Sequence, residues 1–112
     1  MRYLLLLYGE PVRPEDVDPA VFQAHADFCR ALIEAGALVD SAPLVPPEQA
    51  RTVRIKRRER IVVDGPFAET KEVLGGFYLF EADGLDSALE VAARVPAARM
   101  GGAVEVRPLV ER

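Results

Sequence analysis

His25 is the one histidine of the chain, and an imidazole is the side chain best suited to move protons near neutral pH. A carboxylate accepting from its ring would orient and tune it. Asp40 and Asp64 are the candidates for that role, with Glu69 and Glu72 beyond them in the same polar stretch as Asp64. Arg54 or Lys71 would hold charge on a substrate, and Tyr8, Phe67 and Glu69 complete the candidate binding residues. Each has a plainer role as well. His25 could be a core histidine satisfied by one hydrogen bond, Asp64 could cap its turn, Phe67 could plug the core, and Glu69, Lys71 and Glu72 could pair among themselves. Cys29 lies one helical turn from His25, so a thiol and imidazole pair is geometrically available, but it falls in an apolar stripe where thiols normally pack inertly. Four carboxylates and a lone histidine have no fixed metal-ligand spacing, and Cys29 with His25 is too small a set for zinc. No metal and no cofactor is expected.

The elements that would position these residues are legible from pattern. Tyr3 to Tyr8 is a continuous apolar run closed by Gly9 and two prolines, the mark of a strand covered on both faces. Asp18-Pro19 opens a helix, with Asp18 as N-cap, and Gly36 ends it. Its apolar stripe is Val21, Phe22, His25, Phe28, Cys29, Leu32 and Ile33. Ala37 to Val45 reads as a second strand. Thr52 to Lys56 and Arg60 to Val63 read as a hairpin about Arg57-Arg58-Glu59, and Asp64-Gly65-Pro66 opens a polar loop. Gly76 to Phe80 resumes strand character. A second helix from Asp83 or Gly84 carries Leu85, Ala88, Leu89 and Ala92 on one face and stops at Pro96, before a last strand from Val104 to Leu109.

The order β-α-β, inserted hairpin, β-α-β is that of an α+β, ferredoxin-like antiparallel sheet forming one domain over residues 1–112. In that plan the end of the first strand, the first helix and the Asp64 to Glu72 loop meet at one end of the sheet. Both Tyr3 to Tyr8 and Phe77 to Phe80 are apolar at both parities, which calls for a second layer on the face the helices leave bare. A homodimer with two sheets packed face to face supplies it.

Composition narrows the classes. The 112 residues carry 14 Lys and Arg against 18 Asp and Glu, a net charge of −4, which argues against holding nucleic acid or an anionic membrane by bulk charge. Arg51, Arg54, Lys56, Arg57, Arg58 and Arg60 do crowd the hairpin, and the plain reading is a solvated, charged edge. A single cysteine excludes an internal disulfide, and the first apolar run is too short for a signal or a membrane span, so a cytoplasmic protein is expected.

Asp64-Gly65-Pro66-Phe67-Ala68-Glu69-Thr70-Lys71-Glu72, followed by Gly75-Gly76-Phe77-Tyr78 and the closing Val104-Glu105-Val106-Arg107-Pro108, resembles the DGPF branch of the YCII-related proteins over nearly the whole chain. The resemblance implies a dimeric α/β barrel and places His25 where that family carries the histidine of a proposed His–Asp site. One branch of the family includes a dehydrochlorinase acting on a small lactone, and DGPF members are often encoded beside extracytoplasmic-function sigma factors. Related chains often have Asp before the proline that ends the second helix; this one has Val95, so Asp64 or Asp40 would have to serve. The expected function is binding of a small organic acid or carbonyl compound, with lyase-like or isomerase-like acid–base chemistry at His25. The alternative is a non-catalytic regulatory module associated with a sigma factor.

Overall fold

Asp18 and Pro19 set where the chain first turns helical. In the computed structural model, which describes residues 1–111, Asp18 Oδ1 accepts the Ala20 N–H at 2.9 Å, and helix α1 runs Pro19–Glu34. It stops where Gly36 turns left-handed, at φ 69°. Strand β1 (Arg2–Gly9) precedes it and β2 (Leu38–Pro43) follows. Then come β3 (Arg51–Lys56), β4 (Glu59–Asp64) and β5 (Val73–Glu81), helices α2 (Leu85–Ala93) and α3 (Pro96–Arg99), and β6 (Ala103–Pro108). Single 3-10 turns at Pro14–Asp16 and Pro47–Gln49 shape the loops after β1 and β2. Pro96 ends α2 as expected, but it also starts α3, because its fixed φ suits a first helical turn.

Four strands form an antiparallel sheet in the order β2-β5-β1-β6, with the first and third of its strands in the centre. This is an α+β arrangement consistent with the ferredoxin-like plan. β3 and β4 form a separate two-stranded sheet whose turn, Arg57-Arg58, has φ of 50° and 70°, the mirror-image turn that matches strand twist. Among the described residues no helix is long and apolar enough to cross a membrane.

Parity decides what each face of the large sheet meets. Tyr3 and Leu5 of β1 face Phe80 and Tyr78 of β5 across the ladder, and all four are buried with Leu32 of α1, Ala88 and Ala92 of α2, and Val95. The alanines on α2 let that helix approach closely, while Leu85 and Leu89 at the edge of its stripe stay exposed. Phe22 and Ile33 of α1 are likewise exposed, because the predicted stripe is wider than the sheet face beneath it. Leu4, Leu6, Phe77 and Leu79 point the other way, and none of them joins the core. A bulge between Leu7 and Tyr8 sets Tyr8 opposite Leu74, and both border a cavity at that end of the sheet.

Two leucines separate the core from its periphery. Leu5→Ala should cost about 2–5 kcal/mol in urea denaturation, since the side chain is fully enclosed. Leu85→Ala, at a position 51% exposed, should cost under about 1 kcal/mol; equal losses would contradict this placement of the core.

Candidate functional site

The inner face of α1 brings His25, Phe28, Cys29 and Leu32 over the sheet at spacings of three and four residues. On β5, Tyr78 shares the helix-facing parity with Phe80, so its ring is buried while its hydroxyl reaches toward α1. There it lies 3.1 Å from His25 Nδ1, with the two rings nearly parallel. Phe28 packs edge-on against Tyr78 at 5.0 Å and fixes the phenol plane. Beside this pair, Cys29 Sγ sits 3.9 Å from Ser41 Oγ of β2.

Burial sets the protons. It lowers the pKa of the half-buried His25 below 6.5, so the imidazole is neutral near pH 7. It also raises Tyr78 to about 12, with Coulombic repulsion from the nearby Cys29 adding to the effect of burial, so the phenol keeps its proton. In one neutral tautomer the Tyr78 O–H donates to Nδ1 and the imidazole proton sits on Nε2, which has no hydrogen-bond partner among the described residues. In the other neutral tautomer Nδ1–H donates to the phenol oxygen, and Nε2 is then a free base. One hydroxyl supports both tautomers because it can donate and accept.

His25 faces two neighbouring cavities. One, of about 500 Å³, is walled by Leu7, Tyr8, Val12, Val17 and Phe22 and by Pro43, Pro46 and Pro47. The prolines fix their own backbone, so this wall is formed in advance. The other, about 340 Å³, contains Tyr78, Cys29 and Ser41 beside His25. Gly102 keeps the first in shape, because a Cβ there would lie 2.4 Å from the Tyr8 carbonyl oxygen and 2.9 Å from that of Ala97.

Of the residues expected from sequence, the structure brings His25 and Tyr8 together at this cavity. It does not bring the carboxylates. Asp64 pairs with Arg51 at 3.0 Å at the base of β3 and β4. Asp40 accepts its neighbour Ser41 N–H at 2.8 Å and stands opposite Leu79, whose side faces away from α1. Arg54 lies over the ring of Phe67 at 4.8 Å, and Phe67, expected as a core plug, is 73% exposed. Glu69, Lys71 and Glu72 are exposed, and the loop enters the cavity wall only from Val73 onward. Among the described residues no group of three possible metal ligands occurs. Tyr78 was the residue to add: a tyrosine on a buried strand needs a partner for its hydroxyl, and His25 is the strongest one on the helix above it.

Comparison with known proteins gives a consistent picture. The family model of the YCII-related domain matches residues 1–112. An uncharacterized protein of Rhizobium meliloti is 41% identical over 114 residues, spanning 97% of this chain and 92% of that protein.

The single histidine makes the electrostatics directly readable. Its ring-proton NMR titration should have a midpoint below 6.5, and a midpoint at or above that value would contradict burial as the controlling effect. A folded-state pKa lowered in this way leaves stability complete above the unfolded value of about 6.5 and reduces it as pH falls toward the folded midpoint. His25→Gln should therefore lose less melting temperature than the parent between about pH 7.5 and about pH 5.

Proposed function

Because the chain belongs to the YCII-related domain family, we propose that it binds a small organic acid or carbonyl compound in the larger cavity and moves a proton on it through His25. One observation carries the reading: a neutral imidazole, held at Nδ1 by Tyr78 and with Nε2 unpartnered among the described residues, lines a largely apolar cavity of about 500 Å³. That volume suits a molecule of modest size, and its lining suits one with an apolar body.

With Nδ1–H donating to the Tyr78 oxygen, Nε2 accepts a proton from carbon next to the substrate carbonyl, leaving an enolate and an imidazolium. Among the described residues no carboxylate pairs with His25, so the imidazolium returns its proton readily, to the same carbon, to a neighbouring one or to a departing group. Isomerisation and elimination are thus the two outcomes the site serves. His25 is the catalytic residue and Tyr78 a positioning residue that holds Nδ1 in either tautomer; Tyr8 shapes the cavity wall. Asp64, held by Arg51, and Asp40, on the far side of the sheet, take no part in this scheme.

We place the chain in the DGPF branch on its Asp64-Gly65-Pro66-Phe67 motif, and as a homodimer whose sheets meet through Leu4, Leu6, Phe77 and Leu79 in the manner of a dimeric α/β barrel. Both rest on pattern: the motif runs unbroken to Glu72, and the second face is apolar at its centre with Asp40 at one edge and Glu105 with Arg107 at the other.

The test is solvent exchange. In heavy water, NMR should show the protein replacing α-protons on members of a panel of short ketones, 2-oxo acids and lactones, and His25→Gln should slow that exchange by about 100-fold or more. Tyr78→Phe should slow it less and leave binding nearly intact. A panel in which nothing exchanges, or a His25→Gln protein as fast as the parent, would contradict the proposal.

A further inference from the structure

Among the described residues, little packs on the hairpin of β3 and β4 beyond Phe67, whose ring lies under Arg54. Every residue from Arg51 to Asp64 is exposed except Thr52, on both faces of the ribbon. On one face Val53, Ile55 and Val62 stand side by side, each more than half exposed. An isolated two-stranded hairpin is at best marginal in water, so this one needs a surface to lie on. It also stretches the molecule: the radius of gyration is 15.7 Å, against about 13 Å for a compact chain of this size.

Charge says what that surface is. Between Arg51 and Asp64 there are six Lys and Arg against two Asp and Glu, a net +4; the whole chain carries −4, so everything outside the hairpin carries −8. A second copy of this chain is therefore a strongly complementary body for the arm. The segment that lines the larger cavity through Glu10, Val12 and Val17 carries the opposite charge in excess: Glu10, Glu15, Asp16 and Asp18, against Arg13, are all exposed, and among the described residues none of the four acids enters an ion pair. At the hairpin tip Lys56, Arg57, Arg58 and Arg60 are likewise without ion-pair partners among the described residues. Among the described residues the cavity wall contains Glu10 and no lysine or arginine, so they supply no fixed cation for an organic acid.

We infer that the β3–β4 hairpin is an exchanged arm, which lays its basic tip and the Val53, Ile55, Val62 face across the acidic Glu10 to Asp18 segment of a second copy and closes that copy's cavity. Six-residue strands give the arm a reach of about 20 Å. Arg57 and Arg58 then stand at the mouth of the partner's cavity and supply the positive charge its own wall lacks. This rests on the proposal above that two copies pair, and adds that each site is completed by the other chain.

Charge reversal tests it in trans. One full-length chain carries Arg57→Glu with Arg58→Glu, the other Glu15→Lys with Asp16→Lys; Asp18 is left alone because it caps α1. Either chain by itself sets like charges against each other, whereas a mixture restores attraction at both arms. Hydrogen exchange of the hairpin amides is read by mass spectrometry, with β1 amides in the same sample as the control for folding and the native mass recorded alongside. The expected result is an assembly of twice 12.3 kDa in which the parent's hairpin amides exchange about tenfold more slowly than in either variant alone, with protection recovered on mixing. A dimer whose hairpin exchanges like an unstructured peptide would overturn the arm and leave the pairing of sheets standing. A monomer would remove the pairing and the arm together. Protection that persists in each variant alone, that fails to return on mixing, or that requires an added DNA duplex also overturns it.

Discussion

The central strands β1 and β5 are apolar on both sides, and this constraint governs the rest of the molecule. A sheet covered by helices on one face normally alternates apolar and polar residues, as β6 does with Val104 and Val106 inward and Glu105 and Arg107 outward. β1 and β5 do not alternate. Tyr3 and Leu5 sit against Phe80 and Tyr78 beneath the helices, while Leu4 and Leu6 with Leu79 and Phe77 form a second apolar strip. Two of the four strands thus demand two layers, and the chain itself provides one. The polar residues that do face outward lie at its margins, Asp40, Glu105 and Arg107 on the flanking strands and the Arg2–Glu81 ion pair at one end of β1 and β5, where they frame the strip without interrupting it.

The same strand carries the chemistry. β5 must present Tyr78 to the helices in order to turn Phe77 and Leu79 to the opposite face, and its hydroxyl then finds the imidazole of His25 one layer above. Half-burial removes the charged states of both groups, giving a neutral donor and acceptor pair rather than the charged histidine and carboxylate pair. Such a pair is a weak base but an available one, since no competing ion holds it. The cavity next to it is walled by residues that the sheet, the α1 stripe and a proline-stiffened loop bring together, so the site depends on packing more than on any single motif.

Much of this was legible in the residues. The strand order, the Asp18 cap, the Gly36 stop and the hairpin follow from local turn chemistry and from periodicity, which act over short distances. The partner of His25 was not, because the polar loop after Asp64 is tied down elsewhere. Gly65 N–H bonds the Ala50 carbonyl at 2.8 Å, Thr52 Oγ1 donates to the Gly65 carbonyl at 2.9 Å, and Arg51 holds Asp64, so the loop stays with the hairpin base instead of folding onto α1. Phe67 follows it outward and packs under Arg54. These are choices between tertiary partners, and charge pattern alone favoured the carboxylates. Tyr78 was hidden by its company: in an apolar run its ring reads as core, which it is, and only its hydroxyl belongs to the site.

Sedimentation equilibrium at micromolar concentration measures the central constraint most directly. The parent chain should have twice its 12.3 kDa mass, and a protein with glutamate at both Leu6 and Leu79 should fall to the single mass while its far-UV circular dichroism is retained. A parent chain that is monomeric, with the second face of its sheet open to water, would contradict the account.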